Sequence, residues 1–399
     1  MRPQRAFGQP GRPGPTDDPP AAPIRQILLK IHSRCNLSCD HCYMYQHADQ
    51  TWRHRPLVMS KRTLDHTAAR IAEHAADHDL SSVSVVLHGG EPLLAGAHTL
   101  DYAVRAIRRA VRGRTAVRFG LQTNGLLLDD RFLDLFVQHE VTVGVSLDGP
   151  SGANDRHRRY ADGRGSHGGV VPALHLLRSE RYRHLYGGIL CTVDLDNDPE
   201  DVYAHLLEFE PPEVDLLLPH GNWTKPPPGR VDDPAAAPYA GWLIAVFDRW
   251  YEAPERQTRI RLFESIIALL LGGRSGTEAV GLGRIDLVTI ETDGAIEQGD
   301  ALKTTEEGMA ATGLHVARDS IDRALGHPGI QSRQRGLAGL CTTCRRCPAV
   351  AVCGGGLYAH RYRVDNGFDN PSVYCADLFA LIRHVAGRVS ADLERARAS

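Results

Sequence analysis

The sequence predicts an α/β chain in which a partial (β/α)6 barrel is followed by a smaller cysteine-rich domain. Three observations carry that expectation. Six apolar, β-branched runs recur between stretches of helical spacing. At 399 residues the chain has room for a barrel and a second domain. All the cysteines except Cys191 fall into two tight groups, one directly after the first apolar run and one near the C-terminus.

Residues 1–25 are rich in Pro and Gly, lack the apolar core of a signal peptide and read as a disordered leader. The expected strands are QILLKIH (26–32), SVSVVLHGG (82–90), AVRFGLQTNG (116–125), VTVGVSLDG (141–149), GGILCTVDL (187–195) and VDLLLPH (214–220). Continuous apolar runs of this kind suit parallel strands covered on both faces. Between the first two, Leu64, Ala68, Ile71 and Ala75 recur at helical spacing behind a Ser60 cap. The barrel is assigned to 26–236, ending in the Pro-rich segment 221–238, and a helical connector to 237–284. IIALLLGG (266–273) reads as a buried helix end, 285–380 as the cysteine-rich domain and 381–399 as a C-terminal helix. Functional groups of such barrels sit at the C-terminal strand ends. The motifs lie there: the cysteine loop, Gly89-Gly90-Glu91-Pro92, Thr123-Asn124-Gly125, and Ser146 with Asp148.

Cys35, Cys39 and Cys42 form Cys-x3-Cys-x2-Cys in HSRCNLSCDHCYMYQ. Three thiolates on a four-iron cube leave one iron open to a small molecule. A zinc site completed by His32 or His41 is the alternative. The spacing, with Tyr43 after it and GGEP one βα unit later, resembles the radical S-adenosylmethionine (SAM) enzymes. That resemblance implies a [4Fe–4S] cluster whose open iron is chelated by SAM, and a radical SAM barrel. It also implies that Gly89, Gly90, Glu91 and Pro92 bind the methionine amino group and that Asn124 and Ser146 contact the ribose or carboxylate. Arg158 would pair with the carboxylate, and Tyr43 would pack over the loop with its backbone toward adenine. The TNG and SLDG segments also read as ordinary tight turns with helix caps.

Cys344-x2-Cys347-x5-Cys353 with Cys375 downstream resembles the SPASM extension of radical SAM enzymes. Four thiolates there imply one closed auxiliary [4Fe–4S] cluster, with Cys341 spare or as an alternative ligand. Gly299 and Leu357 stand where the ligands of a further cluster would be, so one auxiliary cluster is expected. A zinc ribbon and a ferredoxin-like arrangement through Cys341 are the alternatives. Asp300 falls where many SPASM enzymes place an aspartate, which implies a base. Cys191, alone in an apolar strand, reads as a buried core thiol.

The net charge is -2 with 46 basic residues, of which only Lys30, Lys61, Lys225 and Lys303 are lysines. That balance gives no electrostatic footprint for nucleic acid or anionic membrane. Without a run of about 18 apolar residues no membrane span is expected. Clustered cysteines in a long chain point to metal binding in a reducing cytoplasm.

The segments LLKIHSRCNLSCDHCYMYQHADQTWRHRP, VVLHGGEPLLAG, NDRHRRYADGRGSH, ETDGAIEQGDALKT and CGGGLYAHRYR with NPSVYCADL together look like the FxsB-type maturases. These join an aromatic ring to a β-carbon, forming three-residue cyclophanes in ribosomal precursor peptides. The resemblance implies a precursor peptide as substrate and an electron donor such as flavodoxin or ferredoxin. The 25-residue leader has no space for a winged-helix recognition domain. The peptide would be gripped by the barrel mouth, by 221–275, by the cysteine-rich domain or by a separate leader-recognition protein. Thioether formation, epimerisation, sulfatase-type Cys or Ser oxidation and a non-catalytic zinc-stabilised peptide-binding protein are the competing functions.

Overall fold

The computed structural model describes residues 21–398 apart from 232, 234 and 235. Residues 1–20 of the expected leader lie outside the described residues. Its last part is ordered: Ile24 is buried and Arg25 N donates to Asp286 O at 2.7 Å.

Six parallel strands form where the apolar runs predict them: β1 (Gln26–His32), β2 (Ser82–Gly89), β3 (Ala116–Thr123), β4 (Val141–Ser146), β5 (Tyr186–Thr192) and β6 (Glu213–Leu217). Helices α1 (Lys61–Asp77), α2 (Ala97–Ala110), α3 (Asp130–His139), α4 (Ser151–His157), α5 (His167–Arg178) and α6 (Pro199–Leu207) lie between them. The capping chemistry is explicit. Ser60 Oγ accepts from Thr63 N at 3.1 Å, and Asp198 accepts from the amides of Glu200 and Asp201 ahead of Pro199. Leu64, Ala68, Ile71 and Ala75 are buried in one core with Val83, Val85 and Leu87. Each buried Leu or Ile there contributes roughly 1.5–3 kcal/mol.

Coverage of the two sheet faces is uneven. In β2 the residues alternate between buried and half-buried, with Val83, Val85 and Leu87 on the fully buried face and Val86 and His88 on the other. That half-covered face is the inside of an open barrel. The sheet also runs further than the six expected strands. Its order is β10-β9-β8-β1-β2-β3-β4-β5-β6-β7, with β7 at Arg259–Ile260, β8 at Leu287–Ile290, β9 at Ala295–Glu297 and β10 at Ala311–His315. Strand β8 pairs parallel to β1, Leu29 opposite Ile290, and β9 turns back against β8. The segment assigned to a separate domain from 285 therefore begins as an extension of the barrel sheet along the other edge of β1.

Helices α7 (Pro238–Glu252) and α8 (Arg261–Leu270) form the connector, and the last helix, Cys375–Ala398, packs against both. That helix starts six residues before the predicted 381, so Cys375 is its first residue. The run 266–273 is buried only at Ile266; Leu271 is 60% exposed. Cys191 is a buried core thiol, as its setting predicts. Among the described residues no helix is long and apolar enough to cross a membrane.

Candidate functional site

The cysteine loop leaves β1 at His32 and is pinned by the end of β2. Gly90 N donates to His32 O and Glu91 N to Arg34 O, both at 2.9 Å. A Cβ on Gly89 would collide with the His32 carbonyl, and one on Gly90 with the Arg34 backbone and the Tyr45 hydroxyl. The two glycines are thus required by backbone packing against the loop, in addition to any ligand contact expected of them. Pro92 opens a 3-10 turn at Pro92–Ala95 and is buried there with Leu93. Glu91 also has a structural role. Completely buried, its carboxylate accepts from Leu93 N (3.0 Å), Thr123 Oγ1 (2.8 Å) and Asn124 N (2.9 Å), which ties β2 to the end of β3. Burial nevertheless pushes its carboxyl up to about 7.

Asn124 carries the tie onward: its Nδ2 donates to Asn36 Oδ1 at 2.7 Å and reaches Cys35 Sγ at 3.6 Å. Ser146 Oγ accepts from Gln122 Nε2 at 3.0 Å on the half-covered face of the sheet. Arg158 lies near Cys39, and its guanidinium forks onto Asp148, Nε at 2.6 Å and Nη2 at 3.1 Å, which orients the group expected to pair with a ligand carboxylate. Asp148 in turn accepts from Thr192 N at 2.8 Å, which fastens the fork to β5.

None of the three cysteines is in a disulfide, and all are half-buried. Burial pushes the Cys35 thiol up to about 12 and the Cys39 thiol up to about 11, and Arg158 opposes the rise at Cys39. Cys35 feels both other sulfurs, and Leu37 N donates to its Sγ at 3.4 Å. Three thiols within electrostatic reach of one another, one receiving a backbone N–H, fit thiolate ligands to a cluster. Of the two histidines offered for the zinc alternative, His32 Nδ1 is engaged by the Arg34 backbone and His41 Nε2 lies 3.8 Å from Asp148 Oδ2.

Asp300 reaches the same barrel mouth through the added strands, immediately after β9. Tyr43, expected over the loop, donates its phenol to Asp300 Oδ2 at 3.2 Å while its ring tilts on His220 at 5.1 Å. Lys30, 1% exposed on β1, forms an ion pair with Asp300 and contacts His88 Nδ1 at 3.0 Å on the neighbouring strand. Burial raises the Asp300 carboxyl, but Lys30, Lys303 and His88 outweigh it and hold the group at about 2. Lys303 bridges Glu291 and Glu297 at 2.8 and 2.7 Å, and Arg55 reaches Glu297 at 2.6 Å. Among the described residues Asp300 Oδ1, His220 Nδ1 and His360 Nε2 are buried with no hydrogen-bond partner. The His220 and His360 rings are 5.7 Å apart, and burial lowers His220 to about 4. Lys30, His88, His220 and His360 escaped the sequence reading. Lys30 left one signal, a lysine inside an otherwise apolar strand.

Residues 29–206 match the sequence model of the Radical SAM superfamily, a span that holds the cysteine loop, GGEP, Asn124, Ser146 and Arg158. The chain carries a radical SAM domain. A serine-type anaerobic sulfatase-maturating enzyme from Bacteroides thetaiotaomicron is 24% identical over 389 residues, 92% of this chain and 91% of that one. A cysteine-type anaerobic sulfatase-maturating enzyme from Clostridium perfringens is 21% identical over 361 residues, 88% of this chain and 94% of that one. Among solved structures, native anSMEcpe with bound AdoMet and Cp18Cys peptide superposes with a TM-score of 0.77 at 20% identity, covering 93% of this chain and 99% of that one. Streptococcus suis SuiB bound to precursor peptide SuiA superposes at 0.56 and 14% identity, over 88% and 76% of the two chains. The matched domain brings an enzyme that uses a [4Fe–4S] cluster with SAM, and Cys35, Cys39 and Cys42 lie together as free thiols in its first loop.

The radical SAM domain is followed by the second thiol group. Cys341 and Cys344 pack with Leu340 and Val350, and Cys344, Cys347, Cys353 and Cys375 line one small cavity with Phe379. Cys344 is raised by burial first and then by Cys341; Cys353, pushed up to about 11 mainly by burial, feels Cys375 and Cys347. The four predicted ligands converge, and Cys341 stands beside them. Arg361 ties the turn after Cys353, donating to the carbonyls of Gly354 (2.7 Å), Gly355 (3.0 Å) and Gly356 (2.9 Å).

Proposed function

We propose that this chain is a peptide maturase that removes two hydrogens from a ribosomally made precursor peptide, joining an aromatic ring to the β-carbon of a residue two positions later. The observation that carries an oxidative reaction is Asp300. An ionised, buried carboxylate with a partnerless oxygen sits at the barrel mouth beside the cysteine loop. The cyclophane product rests on the FxsB-type segments, which lie in the loop, the β2 end, the β9 turn and the second thiol region.

When bound, the cluster with SAM supplies a 5′-deoxyadenosyl radical, and an auxiliary cluster on Cys344, Cys347, Cys353 and Cys375 supplies an electron acceptor. The substrate loses a hydrogen atom from the β-carbon, forms the C–C bond, then gives up one proton and one electron to restore the ring. Asp300 Oδ1 takes the proton. Lys30 and Tyr43 fix the other oxygen, so the base is held in one orientation. The partnerless nitrogens of His220 and His360 offer hydrogen bonds to the peptide in the same space. A flavodoxin or ferredoxin would deliver the reducing electron, and a separate leader-recognition protein would present the precursor.

Sulfatase-type oxidation of a Cys or Ser is the second reading, favoured by the maturating enzymes that align with this chain almost end to end. Both readings use the same carboxylate and remove hydrogen, so the product must be identified chemically. The reconstituted enzyme is given SAM, a reductant and either the precursor encoded beside it, ring-deuterated at its aromatic residue, or a sulfatase-type Cys or Ser peptide. Loss of one ring deuterium without reaction toward an aldehyde-trapping hydrazine supports the cyclophane. A trapped aldehyde on the sulfatase-type peptide, with no change in the precursor, replaces it with the second reading.

A further inference from the structure

On the outside of the barrel, away from the cysteines, α1 ends in two histidines four residues apart. His74 lies in the last turn and His78 is the C-cap. Both rings turn toward one carboxylate. His74 Nδ1 lies 3.2 Å from Asp322 Oδ2 and His78 Nε2 lies 2.5 Å from Asp322 Oδ1, the rings 4.5 Å apart. Asp322 belongs to the short helix Ile321–Leu325 beyond β10.

The other nitrogen of His74 makes this arrangement informative. His74 Nε2 lies 3.0 Å from Ile24 O, a carbonyl that only accepts, so that nitrogen carries a hydrogen. In the neutral ring Nδ1 then presents a lone pair to a carboxylate oxygen, and two lone pairs at 3.2 Å repel unless a positive charge lies between them. Metal-bound histidines characteristically donate their second nitrogen to a carbonyl in this way. The C-terminal end of α1 adds the negative pole of the helix dipole.

We infer that His74, His78 and Asp322 bind a divalent transition metal ion, zinc by ligand chemistry, which clips the barrel to the segment beyond β10. Two imidazoles and a carboxylate are a normal zinc ligand set, with water in the remaining position. Tetrahedral bonds of about 2.0–2.1 Å put neighbouring ligand atoms roughly 3.3 Å apart. The His74 contact already has that spacing. The His78 contact must open by less than about 1 Å, and His78 and Asp322 are about a third exposed and able to move. The ion would join three pieces of chain: α1, the Ile24 segment before β1 and the helix at 321.

The test uses the full chain, anaerobically reconstituted with iron and sulfide, then exposed to zinc chloride and desalted. Zinc and iron are counted for the wild type, H78A and D322N, and thermal unfolding is followed with and without zinc. The inference expects about one zinc per wild-type chain, lost in both variants at unchanged iron, with a zinc-dependent rise in melting temperature of a few degrees in the wild type only. Equal zinc in wild type and H78A, or no retained zinc and no shift, overturns it and leaves a proton-held ion pair. The iron count keeps zinc lodged among the cysteines from passing as support.

Discussion

The two thiol groups are held in different ways. The first lies on a loop fixed by backbone hydrogen bonds to the ends of neighbouring parallel strands, with Asn36, Asn124 and the Arg158–Asp148 fork around it. The second lies on short helical turns among Leu340, Val350 and Phe379, and Arg361 ties the turn that follows Cys353. Three thiols in a polar mouth suit a cluster that must meet a ligand, and a larger set in an apolar pocket suits one that must not. The comparison fails if the groups are functionally interchangeable. Replacing Cys35, Cys39 and Cys42 by alanine should lower reconstituted iron from about 8 to about 4 per chain and abolish cleavage of SAM. Replacing Cys344 and Cys347 should remove a similar amount of iron yet leave 5′-deoxyadenosine formation intact. Loss of cleavage in both would mean that the second group is part of the SAM site.

Lys30 and Asp300 connect the two halves. Lys30 stands on β1 just ahead of the first group, and Asp300 follows the strand that leads toward the second. Lys30→Met strands a buried carboxylate and should cost roughly 3–5 kcal/mol in urea unfolding. The sign with pH follows from the depressed carboxyl of Asp300. Its group sits at about 2 against an ordinary 3.8, so the pair stabilises the fold fully above about 4 and loses that contribution as pH falls toward 2. The variant should therefore show a flatter dependence of stability on pH across that window. An unchanged slope would show that Lys303 and His88 alone hold the carboxylate. Asp300→Asn should preserve cleavage of SAM and lose peptide product; full turnover removes Asp300 as the base.

Arg361 sharpens the contrast from the other side. Arg361→Met leaves three buried carbonyls without their donor, at a cost of about 1–3 kcal/mol each at most. It should loosen the turn after Cys353 and lower iron at the second group while SAM cleavage continues. Iron lost equally from both groups would show that the turn supports the whole fold.

Much of the first site was legible in the sequence because strand ends gather it: the six apolar runs coincide with β1 to β6, and every predicted motif lies at a C-terminal end. The roles within it were less legible. A carboxylate in GGEP reads the same whether it meets a ligand or clamps Thr123 and Asn124, and only the fold shows the clamp. The register of β8 beside β1 was hidden as well, since edge pairing depends on contacts far apart in sequence. Its local signal was present in ETDGAIE, where Asp293-Gly294 sits between alternating apolar residues and Gly294 adopts φ 98. With that hairpin placed, Asp300 falls beside Lys30 and Tyr43.

The smallest expected effect concerns Cys341, the thiol that makes the second group larger than one cluster needs. It is 7% exposed and touches Cys344, while Cys375 is exposed at the first turn of the last helix. Burial alone would favour Cys341 as a ligand, whereas the shared cavity holds Cys344, Cys347, Cys353 and Cys375 together. The geometry favours the cavity set, because a cluster must touch all four sulfurs at once and a neighbour of one sulfur need not. Cys341→Ser should accordingly leave about 8 irons bound and cost about 1 kcal/mol or less, while Cys375→Ser should release about 4. The reverse pattern would move the fourth ligand to Cys341 and place the cluster deeper, against Leu340 and Val350, with the last helix free of it.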